Sequence, residues 1–328
     1  MSRRSIVSAR RMVCRPGTPL DPSRGPMFDP VEQAEVDRLF GLLRRARAAL
    51  SLKEPLEDRR AAMNRGALPV GEDVAVSTED AAVGVPSEWI STPGVGPAAI
   101  LYIHGGGFTL GGLDDVREFL SRVSRASRTR VFHPNYRLAP EYPFPAALDD
   151  LRSTYGWLRE RLDASQIVVM GDSAGGGLAL SLVMSLRDGA SDLPAGLVMM
   201  SPWVDLAMRG ESYVDRADRD PIETAEVLEW CARAYAGETS LTDPRISPIY
   251  GNFSGLPPMM VLVGSEEMMY DDSIGIERRA RAFGVDVTLD IERGMPHVYP
   301  RFAARLTAGQ RAVERIGDFV KSRIHQDT

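Results

Sequence analysis

The sequence predicts an α/β protein in which helices cover both faces of a central, mostly parallel sheet. Its 328 residues suit one large domain with an appendage, or two smaller domains. Beyond residue 97, short apolar runs alternate with helical stretches, and this alternation is typical of parallel strands joined by right-handed crossovers. The predicted strands of this part cover residues 98–103, 130–132, 166–170, 197–200, 259–263 and 285–291.

Two helical segments precede every predicted strand. Residues 31–50 and 53–66 carry apolar side chains at helical spacing, and each predicts one helix. Residues 72–80 and 85–93 alternate between apolar and polar side chains, which predicts two antiparallel strands joined by a short turn. Because helices that come before the first strand suggest a cap rather than the start of a sheet, residues 1–70 are predicted to form an N-terminal helical cap segment.

A second cap element is predicted between two of the parallel strands. Residues 203–256 are too long for an ordinary connection, and they contain one helical pattern, at 221–237. We therefore expect residues 203–240 to form a cap insertion, with the α/β core made from residues 71–202 and 241–328.

Charge, hydropathy and cysteine content exclude several classes of protein. The net charge of -6 argues against a nucleic-acid partner, since such proteins present a clustered basic face. No apolar run approaches the roughly 18 residues that indicate a membrane span. With Cys14 and Cys231 as the two cysteines, a disulfide framework is not expected, and the reducing cytoplasm is the simplest compartment.

The stretch VVMGDSAGGGLA, residues 168–179, places Ser173 where an apolar strand gives way to a helix of small residues. A turn this sharp crowds the flanking backbone, and Gly171 and Gly175 have no side chain to clash. The pattern G-x-S-x-G is typical of a nucleophile elbow, which lifts a serine hydroxyl above the sheet and beside a helix N-terminus. The alternative is a glycine-rich turn with an incidental serine.

The stretch LYIHGGGF, residues 101–108, follows a predicted strand and contains three successive glycines. Glycines let the backbone approach a ligand closely, with peptide N–H groups directed at it. Together with the residue after the serine, such a loop forms an oxyanion hole, so Ala174, Gly105 and Gly106 are the predicted donors. A phosphate-binding loop is disfavoured because the Lys-Ser/Thr pair and the G-x-G-x-x-G spacing are both missing.

A serine nucleophile requires a histidine that removes its proton. The chain contains four histidines. His104 precedes the glycines, His133 lies at a strand end, and His325 is three residues from the C-terminus. His297, in a loop just after the last predicted strand, lies downstream of Ser173 with no competing explanation.

The histidine in turn requires an acid that fixes its tautomer. In enzymes with this serine turn, the acid falls between the serine and the histidine, at a strand end. The predicted strand at 259–263 is followed by Glu266, Glu267, Asp271 and Asp272. Carboxylates clustered in a loop are usually solvated, and the spacing alone leaves the choice among these four open.

The motifs in combination resemble the hormone-sensitive-lipase-like esterases of the α/β-hydrolase superfamily. The resemblance spans roughly residues 74–320 and rests on HGGGF, YRLAPEYPFPAALDD, GDSAGGGLA, SPWVDL and GMPHV, which occur in the order and spacing of that family. The stretches VGSEEMMYDDS and GVDVTLDIERGMPHV make the chain most similar to the bacterial esterases of the monoterpene ε-lactone hydrolase type. The resemblance implies an α/β-hydrolase fold with a helical cap over the serine.

The resemblance also implies which carboxylate is the acid. Family members commonly carry G-x-x-D-P-L-x-D-E after this strand, and GSEEMMYDDS places Glu267 at the acid position, with Met268 and Met269 in place of Pro-Leu. Glu267 is longer than the commoner Asp but can still accept the histidine Nδ1 proton. Glu266 is the second choice and Asp271 the third.

The function implied is hydrolysis of small carboxylic esters through a Ser-His-Glu triad and an acyl-enzyme. The expected partner is a small-molecule ester, no metal or organic cofactor is needed, and Phe108 and Trp203 would line an acyl or alcohol pocket, with plain core as the alternative place for Trp203. The same triad also allows a lactone hydrolase or an amide or N-acetyl hydrolase, and a non-catalytic receptor on this scaffold is a further alternative. The family also allows a homodimer through the last strand and helix.

Overall fold

A sheet of eight strands forms the centre of the protein. The computed structural model describes residues 28–81 and 84–324. Within them the strands are β1 (Ala75–Ala81), β2 (Val85–Ser91), β3 (Gly96–Ile103), β4 (Thr129–Pro134), β5 (Ile167–Asp172), β6 (Gly196–Met200), β7 (Met259–Gly264) and β8 (Val287–Glu292). Their order across the sheet is β1-β2-β4-β3-β5-β6-β7-β8.

The pairing of the strands follows the predicted pattern. β1 and β2 form an antiparallel pair, and β2 also pairs antiparallel with β4. The pairings from β4 through β3 to β8 are all parallel. The prediction of an antiparallel N-terminal pair followed by a mostly parallel sheet is therefore confirmed.

Helices cover both faces of the sheet, as predicted. The helices are α1 (Pro30–Arg47), α2 (Leu56–Asn64), α3 (Arg117–Ser127), α4 (Ala146–Arg159), α5 (Ala174–Asp188), α6 (Ser212–Asp215), α7 (Ala225–Ala236), α8 (Tyr270–Ala282) and α9 (Thr307–Ile324). Along β3, Leu101 and Ile103 belong to the core cluster beneath α4, α5 and α8, whereas Ile100 and Tyr102 belong to the cluster beneath α3 and α9. This alternation follows from the two-residue period of a strand.

The two N-terminal helices are tied to the core by charged side chains. Glu35 of α1 accepts a hydrogen bond from the backbone N–H of Thr307 at 2.8 Å, at the start of α9. Arg60 of α2 forms an ion pair with Glu141 at 2.7 Å, in the loop between β4 and α4. Residues 1–27 of the predicted N-terminal cap segment lie outside the described part of the chain.

The predicted insertion after β6 contains more structure than the sequence indicated. The helix expected at 221–237 is present as α7, but the short helix α6 precedes it. A four-residue helix is about one turn long, so it leaves no apolar periodicity in the sequence. None of the helices in the described ranges combines the length and the apolar character that crossing a bilayer requires.

Candidate active site

Ser173 lies on the sharp turn between β5 and α5. Its φ of 53° is in the left-handed region, which is uncommon for a residue with a side chain and marks local strain. A Cβ atom at Gly175 would lie 2.1 Å from the carbonyl oxygen of Ile103, and one at Gly171 would lie 2.3 Å from the carbonyl oxygen of Gly175. Both glycines are therefore required for the turn that presents the Ser173 hydroxyl.

The structure brings Ser173, His297 and Glu267 into one chain of contacts. The Nε2 atom of His297 lies 2.9 Å from Oγ of Ser173, and its Nδ1 atom lies 2.6 Å from Oε2 of Glu267. The other carboxylate oxygen of Glu267 accepts hydrogen bonds from the N–H of Gly264 at 2.6 Å and the hydroxyl of Ser201 at 2.8 Å. Glu267 is therefore held from both sides and orients the imidazole so that Nε2 faces the serine.

The electrostatic surroundings of His297 favour its protonated form. Burial by itself lowers the pKa of this histidine, but the carboxylates of Glu267 and Glu223 outweigh burial and raise the pKa to about 9. An imidazolium at this position is the species that would arise when His297 takes a proton from Ser173. The site therefore stabilises the charge that a serine nucleophile requires its base to carry.

The other three candidate carboxylates have different partners. Glu266 forms an ion pair with Arg219 at 3.4 Å. Asp271 and Asp272 accept hydrogen bonds from backbone N–H groups in the segment that follows β6. Among the four carboxylates, Glu267 is the one in contact with His297.

The glycine loop after β3 differs from the sequence-based expectation at one position. The N–H of Gly105 donates a hydrogen bond to Oδ1 of Asp172 at 2.8 Å, so it is not available to a substrate oxygen. Gly106 and Gly107 line the cavity beside Ser173, and among the described residues nothing accepts a hydrogen bond from the N–H of Gly106, Gly107 or Ala174. The structure therefore contradicts the prediction that Gly105 is an oxyanion donor, and Gly107, which was not predicted, lies at the cavity with an N–H that has no acceptor in the described part of the chain.

Asp172 connects three segments around the site. Besides Gly105, it contacts the hydroxyl of Tyr102 and an Nη atom of Arg301 at 3.1 Å, and Arg301 also pairs with Asp115 at 2.8 Å. Asp172 is 1% exposed. Buried charges are stable only when they are paired and hydrogen-bonded. The contacts of Asp172 meet this requirement, and they hold the glycine loop, the serine turn and the histidine loop together.

A cavity of about 400 Å³ opens onto Ser173 and His297. Trp203 is among the residues around it, but it is fully buried in the core cluster, which fits the alternative of plain core. Phe108 does not line the cavity but lies behind its wall, stacked on Tyr235 at a ring distance of 4.0 Å. The expectation that Phe108 contacts the substrate is therefore wrong, because its ring is covered by α7.

The opposite wall of the cavity comes from the predicted cap segments. Leu50 and Met63 belong to the N-terminal part of that wall, and Val227 to α7. Arg47 of α1 and Glu223, just before α7, place charged groups on the same wall. Side chains from both predicted cap segments thus face the serine.

Two of the remaining histidines lie in the described core and have structural surroundings. His104 stacks on Tyr136 with ring centroids 4.3 Å apart, and burial lowers its pKa to about 4. His133 is fully buried, 3.7 Å from Glu88. Within residues 28–81 and 84–324, no three His, Cys, Asp or Glu side chains are grouped so as to hold a metal ion.

Several residues of the site were not identified from the sequence. Ser201 accepts a hydrogen bond from the N–H of Val298 at 2.9 Å while donating to Glu267; its signal was the SPWVDL stretch, which was used only for the resemblance. Gly107 lies in the glycine motif, but the prediction named the two glycines that precede it, Gly105 and Gly106. Glu223 had no signal, because a charged residue in an insertion looks like a solvated one.

Comparison with known proteins places the fold and the site in a family. The family described as alpha/beta hydrolase fold matches residues 100–301. The acetyl-hydrolase of Streptomyces hygroscopicus is 36% identical over 273 residues, covering 81% of this chain and 90% of that protein. The esterase of Acinetobacter venetianus is 33% identical over 241 residues, covering 73% of this chain and 80% of that protein.

A solved structure gives the same result. The crystal structure of an esterase from the bacterial hormone-sensitive lipase family is 38% identical, with a TM-score of 0.85 over 89% of this chain and 98% of that chain. The chain belongs to the α/β-hydrolase family. Within that family it is an esterase of the bacterial hormone-sensitive-lipase type, as its motifs predicted. The nearer likeness to monoterpene ε-lactone hydrolases stays a prediction.

Proposed function

We propose that the protein is a serine carboxylesterase that hydrolyses small carboxylic esters through a Ser-His-Glu triad and an acyl-enzyme. The observation that carries this proposal is the chain of contacts from Glu267 through His297 to Ser173, with distances of 2.6 and 2.9 Å, at the edge of an open cavity. Distances of this size place nucleophile, base and orienting acid within hydrogen-bond reach.

In the first half-reaction, the hydroxyl of Ser173 attacks the ester carbonyl carbon while its proton moves to Nε2 of His297. The carbonyl oxygen becomes an oxyanion, which accepts hydrogen bonds from the N–H groups of Gly106, Gly107 and Ala174. The tetrahedral intermediate collapses, the bond to the alcohol oxygen breaks, and His297 returns the proton to the leaving alkoxide.

In the second half-reaction, water takes the place of the alcohol. His297 removes a proton from this water as it attacks the acyl carbon, and the same N–H groups hold the oxyanion. Collapse of the second intermediate releases the carboxylic acid and returns the proton to Ser173. Throughout both steps, the carboxylate of Glu267 accepts a hydrogen bond from Nδ1–H of His297 and balances the imidazolium charge.

The size of the cavity supports short to medium acyl chains. A volume of about 400 Å³ lies at the small end of ligand pockets. The relative from Streptomyces hygroscopicus is named an acetyl-hydrolase, which is in keeping with a short acyl group.

The division into cap and core is part of the same proposal. We propose residues 1–70 and 203–240 as the cap and residues 71–202 and 241–328 as the catalytic core, of which residues 1–27, 82–83 and 325–328 lie outside the described part of the chain. The support is that described residues from both cap segments line the cavity. For the assembly we propose a homodimer through β8 and α9, since β8 is an outer strand of the sheet. The free thiol of Cys231 fits the reducing cytoplasm.

The test is hydrolysis of p-nitrophenyl esters from acetate to palmitate, with the Ser173→Ala variant as the blank. We expect activity that peaks at short chains, and a loss of about a millionfold in the variant, with an unchanged melting temperature. Ordinary turnover by the variant would overturn the serine mechanism. Inactivity of the folded wild type towards all the esters would favour an amide or lactone substrate.

A further inference from the structure

The side chain of Glu223 enters the cavity from the segment that leads into α7. Its Oε1 atom lies 3.8 Å from Nε2 of His297, and the side chain is 17% exposed. The backbone N–H of Glu223 is held by Asp220, which fixes the start of the side chain. Within the described part of the chain, however, no group donates a hydrogen bond to the carboxyl of Glu223.

Apolar side chains form part of the surroundings of this carboxyl. Leu50, Met63, Trp203 and Val227 line the same cavity, and burial raises the pKa of Glu223 to about 7. A polar group that is removed from water without a hydrogen-bond partner costs free energy. A bound molecule that donates a hydrogen bond to this carboxyl would recover that cost.

The position of Glu223 indicates which part of an ester it faces. In the proposed reaction, Nε2 of His297 delivers a proton to the leaving alcohol oxygen, so a group 3.8 Å from Nε2 lies beside the alcohol portion. A cationic donor is disfavoured there, because His297, 3.8 Å away, becomes positive during the reaction. A neutral donor is therefore favoured, and a hydroxyl is the neutral donor that the alcohol portion of an ester can itself carry.

We propose that Glu223 is a specificity-determining residue that accepts a hydrogen bond from a hydroxyl on the alcohol portion of the substrate, so that the esterase prefers monoesters of diols. The inference rests on the proposed esterase function and names its substrate class. It gives Glu223 no proton-transfer step: Ser173 and His297 carry out the chemistry, and Glu223 holds the alcohol that leaves.

The test compares two esters of the same acid and nearly the same shape, 2-hydroxyethyl butanoate and propyl butanoate. Their kcat/KM values are measured by pH-stat for the wild type and for Glu223→Leu. We expect the ratio of hydroxyethyl to propyl ester to fall about tenfold in the variant, which is the effect of losing one hydrogen bond to a carboxyl group. Glu223→Gln keeps an acceptor of the same shape and should retain most of the preference.

A matched control is Glu229→Leu, which removes an exposed carboxylate from α7. We expect the wild-type ratio in this variant. Melting temperatures of all three variants show whether each is folded, and Glu223→Met replaces Glu223→Leu if that variant does not fold.

The pH dependence of kcat/KM is a second measurement, and a purely structural role of Glu223 would leave it unchanged. The charged and titratable groups that face Glu223 and His297 are Asp220, Glu267, Arg44, Arg47, Glu226, Cys231, Asp172 and Arg301. His297 must be neutral to act as a base, and the Glu223 carboxylate helps to raise its pKa. In Glu223→Gln the acidic limb of kcat/KM should therefore move to lower pH, by about one unit.

The outcomes separate this inference from the function on which it rests. Hydrolysis of both esters at the same ratio in wild type and Glu223→Leu overturns the role of Glu223 and leaves the esterase function intact. A wild type that hydrolyses neither these esters nor the p-nitrophenyl esters overturns the proposed function, and this inference with it. A ratio that falls in Glu223→Leu and persists in Glu223→Gln supports the inference.

Discussion

The two walls of the active-site cavity are built in different ways. On the core wall, Glu267 is fully buried and each of its oxygens has a hydrogen-bond partner. On the cap wall, the carboxyl of Glu223 is partly exposed and accepts no hydrogen bond among the described residues. Arg47, on the same wall, makes one long contact, at 3.3 Å to the backbone oxygen of Asp220.

Under the proposed function, the core wall carries out the reaction and the cap wall selects the substrate. Ser173, Glu267 and His297, the proposed triad, follow the ends of parallel strands, which are fixed by their neighbours and can hold reacting groups to a fraction of an ångström. Arg47 and Glu223 of the cap wall lie on a helix and a loop, and each has fewer hydrogen-bond partners than Glu267. Substitutions in the core wall should therefore lower kcat, whereas substitutions in the cap wall should change KM and specificity.

The largest effect is expected from Glu267→Gln. An uncharged amide can neither balance the imidazolium nor hold the correct tautomer of His297, and kcat should fall by about ten-thousandfold. The measurement is kcat on a short p-nitrophenyl ester, with Glu266→Gln as the matched control. If Glu266→Gln is the inactive variant instead, the assignment of the acid is wrong.

An intermediate effect is expected from Asp172→Asn, which weakens the tie between Gly105 and Arg301. The glycine loop should then hold its N–H groups less accurately, lowering kcat by about a hundredfold with little change in KM. Affinity for a trifluoromethyl ketone, which mimics the tetrahedral intermediate, should fall in parallel. A rise in KM at unchanged kcat would show that this cluster shapes the substrate pocket rather than the oxyanion donors.

The smallest effect is expected from Arg47→Ala in the cap wall. The lost contact is a single long hydrogen bond to the backbone of Asp220, so KM should rise about threefold while kcat remains near the wild-type value. Steady-state kinetics on the same short ester give both constants. A large fall in kcat would break the comparison, because it would show that the cap wall also positions the reacting groups.

Much of the fold was accessible from local patterns. The strands β3 to β8 follow from apolar runs between helical stretches, and the serine turn follows from two glycines that no other residue could replace. The short helix α6 was missed because one turn has no periodicity. Gly105 was chosen over Gly107 because the motif contains three glycines in a row, and the hydrogen bond to Asp172 that removes Gly105 joins residues 67 positions apart.

The sequence by itself determined the chemical groups of this esterase: a serine on a strained turn, a glycine loop before it and a histidine after the last strand. These follow from short-range constraints, since each motif needs particular residues within a few positions. The spacing left four carboxylates open and the resemblance favoured Glu267, but only the tertiary structure placed it in contact with His297. Only the tertiary structure also showed that Ser201 donates a hydrogen bond to Glu267 and that Glu223 faces the same cavity from the cap. Such contacts depend on how strands and helices that are distant in the sequence pack together, and a local sequence pattern does not predict that packing.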